Sequence, residues 1–409
     1  MRRLLLVVLS LAFSATASPA QPSSLGALLS APPDSLSDRA QVSLLTMLPG
    51  EQVYSLWGHS ALRITDPATG LDRTYNYGTF DFQQPGFVVR FLRGRLDYIL
   101  DTAPFEAELW KYEQLQRPII EQVLDLTPET ARALFVAIEE NALPENRAYR
   151  YDFVWDNCST RLLDMIDRAL VETGHSAVAL GDTTETRTFR DLVDPYTDGT
   201  AWLDFGTNLG LGLPTDQVAT PHEVIFLPLE LMRVADGATV DGRPLVARTD
   251  TVLTIPEYRE ADPALPWPAL LGWLFLGLAV GPTLWMRRRL RSDSLQLWGA
   301  RLDGVLFAFA GLAGIVLVLM WVATDHRVTA ANLELLWLWP THLLAAFGLA
   351  RREASFLWRR YALATAIVTG LVVALWWLWP EPMHPAGIPL AVLLAFRAAM
   401  RAKNESGHL

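Results

Sequence analysis

The residue with the clearest chemical potential is Cys158, the only cysteine in the 409-residue chain. It lies in the stretch 155–161 (WDNCSTR). A chain with one cysteine cannot form an internal disulfide, so the thiol is either a small buried apolar group or a reactive nucleophile. The sequence leaves both interpretations open.

The residues around Cys158 predict a helix that begins at the cysteine. Asp156 and Asn157 are residue types that cap helix N-termini. The apolar residues that follow are spaced as on one helix face: Leu162, Ile166, Ala169 and Leu170. In the first turn, the helix dipole and free backbone N–H groups are expected to lower the pKa of the Cys158 thiol and to offer donors for an oxyanion.

A thiol nucleophile needs a base, and His59 in the stretch 56–64 (LWGHSALRI) is the candidate. Residues 59–65 read as a strand with His59, Ala61 and Arg63 on one side. A turn at 66–70 (DPATG) and a second strand-like run at 73–82 (RTYNYGTFDF) predict a hairpin with His59 near one edge. The alternative is that this histidine is unrelated to the cysteine, since spacing alone does not show adjacency.

The first twenty residues have the three-part pattern of a secretory signal. Two arginines precede an apolar run at 4–13, and small residues follow at 14–20. The run is short for a membrane span, so we expect cleavage and a mature chain that begins outside the cytoplasm.

Residues 21–262 predict one α+β domain. Helices are expected at Pro104–Gln114 and Pro128–Asn141, among short β-rich runs. The net charge of −10 and the absence of a basic patch in this half argue against a nucleic-acid partner. His175 and His222 stand alone, without a partner at metal-ligand spacing, so no metal site is expected.

Residues 263–409 predict an all-α membrane domain of about five transmembrane helices. The apolar segments are Leu270–Met286, Val305–Ala323, Leu333–Ala350, Tyr361–Trp379 and Ala386–Met400, of which the fifth is short. Basic residues cluster in alternate loops and at the C-terminus, which predicts a cytoplasmic C-terminus and an outside N-terminal half. The polar outer loop 324–332, with His326 and Asn332, is either a solvated loop or a lipid-contacting surface.

Several motifs together resemble the Lnb-type bacterial lipoprotein N-acyltransferases. They are WGHSALRI, YNYGTFDF, DNCSTRLLD, LGLGLPTD, FLP and, in the membrane half, NLELLWLWP. The histidine-before-cysteine order also resembles permuted papain-like folds of the NlpC/P60 type. The resemblance implies that Cys158 is the nucleophile and His59 the base. Asn76 is the expected third member, with Asp81 and Tyr77 as alternatives.

The resemblance further implies a multi-pass enzyme of the bacterial inner membrane with a periplasmic N-terminal domain. The implied reaction moves an acyl chain from a phospholipid, through a thioester on Cys158, to the N-terminal amine of a diacylated lipoprotein, without metal or nucleotide cofactor. The Asn157 side chain is expected to donate to the oxyanion. Substrate contacts are expected from Arg161, Tyr77, His326 and Asn332. The alternatives are a cysteine hydrolase, acting on cell-wall peptide or phospholipid, and a noncatalytic membrane scaffold.

Overall fold

The computed structural model describes residues 32–80, 85–181, 186–289 and 293–403. The predicted export signal and Asp81 lie outside these ranges. The described chain has a sheet-rich N-terminal domain followed by a helical region.

A seven-stranded antiparallel sheet forms the centre of the described N-terminal domain, in the order β6-β4-β3-β2-β1-β5-β9. Its strands are β1 (Gln41–Met47), β2 (His59–Asp66), β3 (Leu71–Thr79), β4 (Asp97–Pro104), β5 (Ile119–Leu124), β6 (Ala148–Arg150) and β9 (Val246–Leu253); β7 (Thr239–Val240) and β8 (Arg243–Pro244) form a separate small pair. The predicted hairpin is confirmed, because β2 and β3 pair antiparallel from Asp66↔Leu71 to Leu62↔Tyr75.

Helices cover both faces of this sheet. They are α1 (Phe87–Leu92), α2 (Phe105–Gln114), α3 (Pro128–Ala142), α4 (Cys158–Glu172), α5 (Phe189–Val193), α6 (Ala201–Gly210) and α7 (Pro228–Asp236). The predicted helices at 104–114, 128–141 and after residue 157 are therefore confirmed within a residue or two. Side chains alternate across β2: Leu62 and Ile64 pack with α3 and α4, whereas Ala61 packs with Phe105 and Tyr112 of α2.

The helical region contains α8 (Trp267–Arg289), α9 (Asp293–Val322), α10 (His342–Leu349), α11 (Phe356–Leu375) and α12 (Gly387–Ala402). In the described part of the chain, three helical segments are long and apolar enough to cross a membrane: Trp267–Leu284, Leu297–Val322 and Phe356–Leu378. Five spanning helices are not confirmed. The predicted third segment is a 3-10 turn (Leu333–Leu336) followed by the eight-residue α10, and α12 has 16 residues.

The third segment nevertheless runs along α9 in the opposite direction, at very close range. A Cβ added at Gly314 would lie 2.0 Å from the carbonyl oxygen of Leu338, and one at Gly311 would lie 2.2 Å from the backbone nitrogen of Leu343. Such small-residue contacts let backbones approach closely in membrane helix bundles. The segment therefore packs as a bundle element although α10 is too short to span.

Two turns of the helical region contact the sheet domain. Asp325 accepts a hydrogen bond from Arg95 at 2.8 Å, and His384 Nε2 lies 2.8 Å from Asp204 Oδ2. Between residues 325 and 384 the chain therefore leaves the sheet domain and returns to it, and α11 is the helix that returns. The connection around Glu353, between α10 and α11, lies at the end of the helices remote from the sheet domain.

This path predicts that Glu353 and Lys403 are on the cytoplasmic side. Each is exposed, and can be replaced by cysteine in a Cys158→Ser background that has no other thiol. A membrane-impermeant maleimide should label Glu353→Cys and Lys403→Cys only after the membrane is permeabilised. The control Asp262→Cys should be labelled in intact spheroplasts. Labelling of Glu353→Cys without permeabilisation would contradict the path.

Candidate active site

Asn157 fixes the turn that presents Cys158. Its Oδ1 accepts hydrogen bonds from the backbone N–H groups of Ser159 (2.8 Å) and Thr160 (3.1 Å). Its Nδ2 donates to the carbonyl oxygens of Phe153 (2.7 Å) and Phe226 (2.8 Å). Both amide hydrogens are thus used within the fold. In this structure the Asn157 side chain caps the helix, and its expected donation to an oxyanion stays a prediction that requires one of these two donated bonds to open.

Cys158 is the first residue of α4 and is buried against β2 and β3. The backbone N–H groups of Ser60, Cys158 and Ser159 are directed at the thiol and favour its ionised form. Burial outweighs them and raises the pKa of the Cys158 thiol above its ordinary value. The expected lowering of this pKa is therefore wrong in sign, because the sequence showed the donors but not the depth of burial. The resting sulfur is a neutral thiol at neutral pH.

The helix and the strand that carry the two candidate catalytic residues are joined directly. The hydroxyl oxygens of Ser60 and Ser159 lie 3.0 Å apart in the interior, one residue after His59 and one after Cys158. Gly78 of β3 lies beside the cysteine, since a Cβ at this position would be in ordinary contact with the Cβ of Cys158 at 3.8 Å. Its φ of +93° is the feature that favours glycine here.

His59 is oriented by Asn76 of the neighbouring strand. His59 Nε2 lies 3.2 Å from Asn76 Oδ1, so the neutral ring donates through Nε2 and leaves Nδ1 as the basic nitrogen. Burial, with Lys111 and Arg117 nearby, lowers the pKa of His59 to about 3. The imidazole is therefore neutral at physiological pH, and its Nδ1 is a weak base in this resting environment.

Asn76 is itself held by Glu108 of α2, a residue that sequence reasoning missed. Asn76 Nδ2 lies 3.4 Å from Glu108 Oε1, and Lys111 Nζ lies 3.3 Å from Glu108 Oε2. A glutamate inside an amphipathic helix carries no signal of such a role. Among the described hydrogen bonds, the thiol's side-chain partner is Ser159 at 3.9 Å and not the His59 ring. Alternation along β2 directs Ser60 toward α4 and directs the neighbouring His59, with Asn76 and Glu108, toward α2. The proposed base and nucleophile therefore have to approach each other in the substrate complex, where catalytic hydrogen bonds often close.

Arg161 and Tyr77, expected to contact substrate, are held by the protein. Arg161 Nη2 donates to Asp156 at 2.9 Å, and its guanidinium lies 3.8 Å from the ring centroid of Tyr149. Tyr77 is buried, and its hydroxyl is hydrogen-bonded to Asn141. Both side chains therefore contact other protein residues and have a structural role beside the site.

The outer loop that contains His326 and Asn332 docks the helical region onto the sheet domain. His326 Nε2 lies 3.3 Å from the carbonyl oxygen of Phe91, and Asn332 Nδ2 donates to the carbonyl oxygens of Leu209 (2.9 Å) and Leu211 (3.1 Å). In this structure, both therefore join the two halves, whereas the sequence left open either a solvated loop or a lipid-contacting surface.

Arg327 of the same loop reaches the turn before Cys158. Its Nη2 donates to Asp152 at 3.2 Å, and its guanidinium lies 3.9 Å from the ring centroid of Trp155. Sequence reasoning did not connect these residues, because they are distant in the chain. Within the described ranges, no group of three or more His, Cys, Asp and Glu side chains is arranged to hold a metal ion.

The thiol environment predicts a steep pH dependence of alkylation. With a pKa above its ordinary value, the thiolate fraction of Cys158 rises about tenfold per pH unit between pH 6 and 8. The rate of iodoacetamide alkylation, followed by mass spectrometry of the intact chain, should rise in proportion. A rate that stays flat over this range would indicate a resting thiolate–imidazolium pair and contradict the assignment.

The cap geometry predicts that Asn157→Ala is costly. Loss of the cap and of the donors to two carbonyls should lower the free energy of unfolding by about 2 kcal/mol. The free energy of unfolding is measured by denaturing the purified chain in detergent and using the exposure of the Cys158 thiol as the signal of unfolding. Asn146→Ala is the control: this exposed asparagine donates to the Glu140 carbonyl at 2.9 Å and should cost no more than about 0.5 kcal/mol. Equal losses in the two variants would contradict the role of the cap.

Comparison with known families agrees with the division of the chain into two parts. Residues 34–194 match the Lnb N-terminal periplasmic domain, and residues 260–405 match the Lnb transmembrane domain. Searches of curated proteins and of solved structures found no match. The two domain matches cover most of the chain and occur in the same order as the sheet domain and the helical region. The chain therefore belongs to the Lnb-type lipoprotein N-acyltransferase family, as a membrane-bound lipoprotein-modifying enzyme with an N-terminal periplasmic domain.

Proposed function

We propose that the protein transfers an acyl chain from a phospholipid to the N-terminal amine of a diacylated lipoprotein through a thioester on Cys158. In the first step, the sulfur attacks the ester carbonyl while His59 takes the thiol proton. The ester C–O bond breaks, and the proton passes to the departing lysophospholipid oxygen. In the second step, the amine attacks the thioester, His59 takes an amine proton, the C–S bond breaks and the thiol is restored.

The observation that carries the proposal is the environment of Cys158. The only thiol of the chain begins a capped helix and faces the N–H groups of Ser60, Cys158 and Ser159. These donors can stabilise a thiolate as it forms and then the oxyanion of the tetrahedral intermediate. A buried cysteine with only a structural role does not require three N–H donors around its sulfur, so these donors disfavour the scaffold interpretation.

The resting protonation states are a neutral thiol and a neutral imidazole. A neutral thiol needs a base at the moment of attack, and because the pKa of His59 is lowered to about 3, the proposed proton transfer requires the forming thiolate to stabilise the imidazolium. Asn76 keeps the ring oriented at 3.2 Å, and Glu108 keeps Asn76 oriented. Together they form the positioning chain behind the base.

Transfer is favoured over hydrolysis by the apolar and aromatic surroundings of the thiol. Cys158 belongs to the buried cluster that contains Tyr77, Tyr98 and Tyr149, with Tyr151 packed against it. A site from which water is excluded protects a thioester until an amine arrives. The contact of Arg327 with the turn before Cys158 also keeps the site beside the helical region, where both lipid substrates reside.

The proposal predicts an isolable acyl-enzyme. Incubation of the reconstituted chain with phospholipid labelled in its acyl chains, without acceptor, should leave label on the protein that neutral hydroxylamine releases. Cys158→Ser should carry no thioester label. His59→Ala should slow acylation by about 10²–10⁴-fold. His175→Ala is the control, because that histidine pairs with Asp241 away from the site and should acylate at the parent rate.

The acceptor step distinguishes the hydrolase alternative. A diacylated lipopeptide should discharge the label onto its terminal amine. Discharge should accelerate from pH 6 to 8, because the neutral amine attacks and its reference pKa is about 8. Rapid release of free fatty acid that lipopeptide does not change would establish a hydrolase. Absence of label from the folded parent chain would contradict covalent catalysis.

A further inference from the structure

Helix α1 (Phe87–Leu92) carries an unusual apolar surface for a segment of the sheet domain. None of its six residues is buried. Its exposed side chains are Val88 (46%), Val89 (61%), Phe91 (50%) and Leu92 (61%). A contiguous apolar surface of this kind on one short helix marks a site that contacts another apolar phase.

The position of α1 identifies that phase. The backbone N–H of Asp325 donates to the carbonyl oxygen of Arg93 at 2.9 Å, and the His326 ring lies against Gly94 and Phe91. Asp325 follows the apolar span Leu297–Val322 by three residues. The end of α1 is therefore tied to the chain at the point where it leaves the membrane, on the side of the sheet domain.

Three arginines lie on α1 or directly after it. Arg90 donates to Asp97, Arg95 pairs with Asp325, and Arg93, the C-terminal cap of α1, is exposed. A short helix with an apolar surface and arginines at its polar edge has the character of an interfacial element whose apolar side enters the acyl region of a bilayer.

An aromatic series connects α1 to the catalytic cysteine. Successive ring centroids lie 6.0 Å apart for Phe91 and Phe87, 5.9 Å for Phe87 and Phe80, 5.1 Å for Phe80 and Tyr98, and 4.2 Å for Tyr98 and Tyr151. Tyr151 Cε2 and the Cβ of Cys158 both lie 3.8 Å from the position of a Cβ at Gly78. The series thus runs from the exposed apolar surface of α1 to Gly78, beside which Cys158 also lies.

We propose that α1 inserts its apolar side chains into the outer leaflet of the membrane and that the aromatic series guides a phospholipid acyl chain from the leaflet to Cys158. The partner is the acyl region of phospholipid. The insertion of α1 does not depend on the proposed function. The guidance of the acyl chain rests on the proposed function and adds to it the route by which the donor reaches the thiol.

A depth measurement tests insertion without depending on catalysis. The full chain, in a Cys158→Ser background, receives a spin label at Val89→Cys and is reconstituted in phospholipid vesicles. Val171→Cys is the matched control, since Val171 is also exposed (59%) but lies near the end of α4 remote from Cys158. The Val89 label should be several-fold more accessible to oxygen than to a polar nickel complex, and the Val171 label should show the reverse.

Equal access of the nickel complex to both labels would overturn the insertion. Protection of the Val89 label only after a diacylated lipopeptide is added would also overturn it, and would assign α1 to the acceptor.

The route is tested in chains that keep Cys158. Val89→Asp should lower acylation by vesicle phospholipid at least tenfold and leave iodoacetamide alkylation of Cys158 unchanged, whereas Val171→Asp should change neither. Acylation of Val89→Asp at the parent rate would overturn the route. Failure of the parent chain to acylate at all would overturn the proposed function together with the route, and would leave insertion to be judged by the spin labels.

Discussion

The four hydrogen bonds of the Asn157 side chain are the constraint on which the site depends. They hold the first turn of α4 to the segment before it, through Phe153, and to the segment just before α7, through Phe226. With the turn fixed, the Ser60–Ser159 contact sets the helix against β2 at the strand position next to His59. The sulfur is then buried among backbone N–H donors. The donors lower the pKa of the Cys158 thiol and desolvation raises it, and the balance between them governs its reactivity.

The same turn is also held from the membrane side. Arg327 contacts Asp152 and Trp155, just before the cap, and Asn332 contacts the end of α6. The exposed ion pair of Arg327 with Asp152 is individually weak, whereas the Asn332 side chain is buried. Their importance is geometric, because they join the turn before Cys158 and the end of α6 to the loop that follows the span Leu297–Val322. The proposed reaction requires a thiol that is shielded from water and held near the membrane, and the burial of Cys158 and the contact of Arg327 agree with this requirement.

Local patterns in the sequence predicted local structure well. The capping residues before Cys158 predicted where α4 begins, and the alternation after His59 predicted β2 and its hairpin. The sequence could not predict quantities that arise from packing. The pKa of Cys158 depends on burial by distant segments, and Glu108 meets Asn76 only because α2 crosses the back of β3. His326 and Asn332 lie in a loop between two helices of the helical region, as predicted, but their partners come from α1 and from the end of α6 and were invisible in the sequence. The eight-residue α10 shows a related limit, since an apolar run of spanning length does not fix a continuous helix.

The central claim is that Cys158 passes an acyl chain to an amine rather than to water. The most direct measurement is mass spectrometry of the lipopeptide after reaction with the purified, reconstituted chain and a phospholipid whose acyl chains carry a heavy isotope. The account predicts one heavy acyl chain in amide linkage on the N-terminal cysteine of the lipopeptide, an equal amount of lysophospholipid, and neither product with Cys158→Ser. Lysophospholipid matched by free heavy fatty acid, with the lipopeptide unchanged, would contradict it.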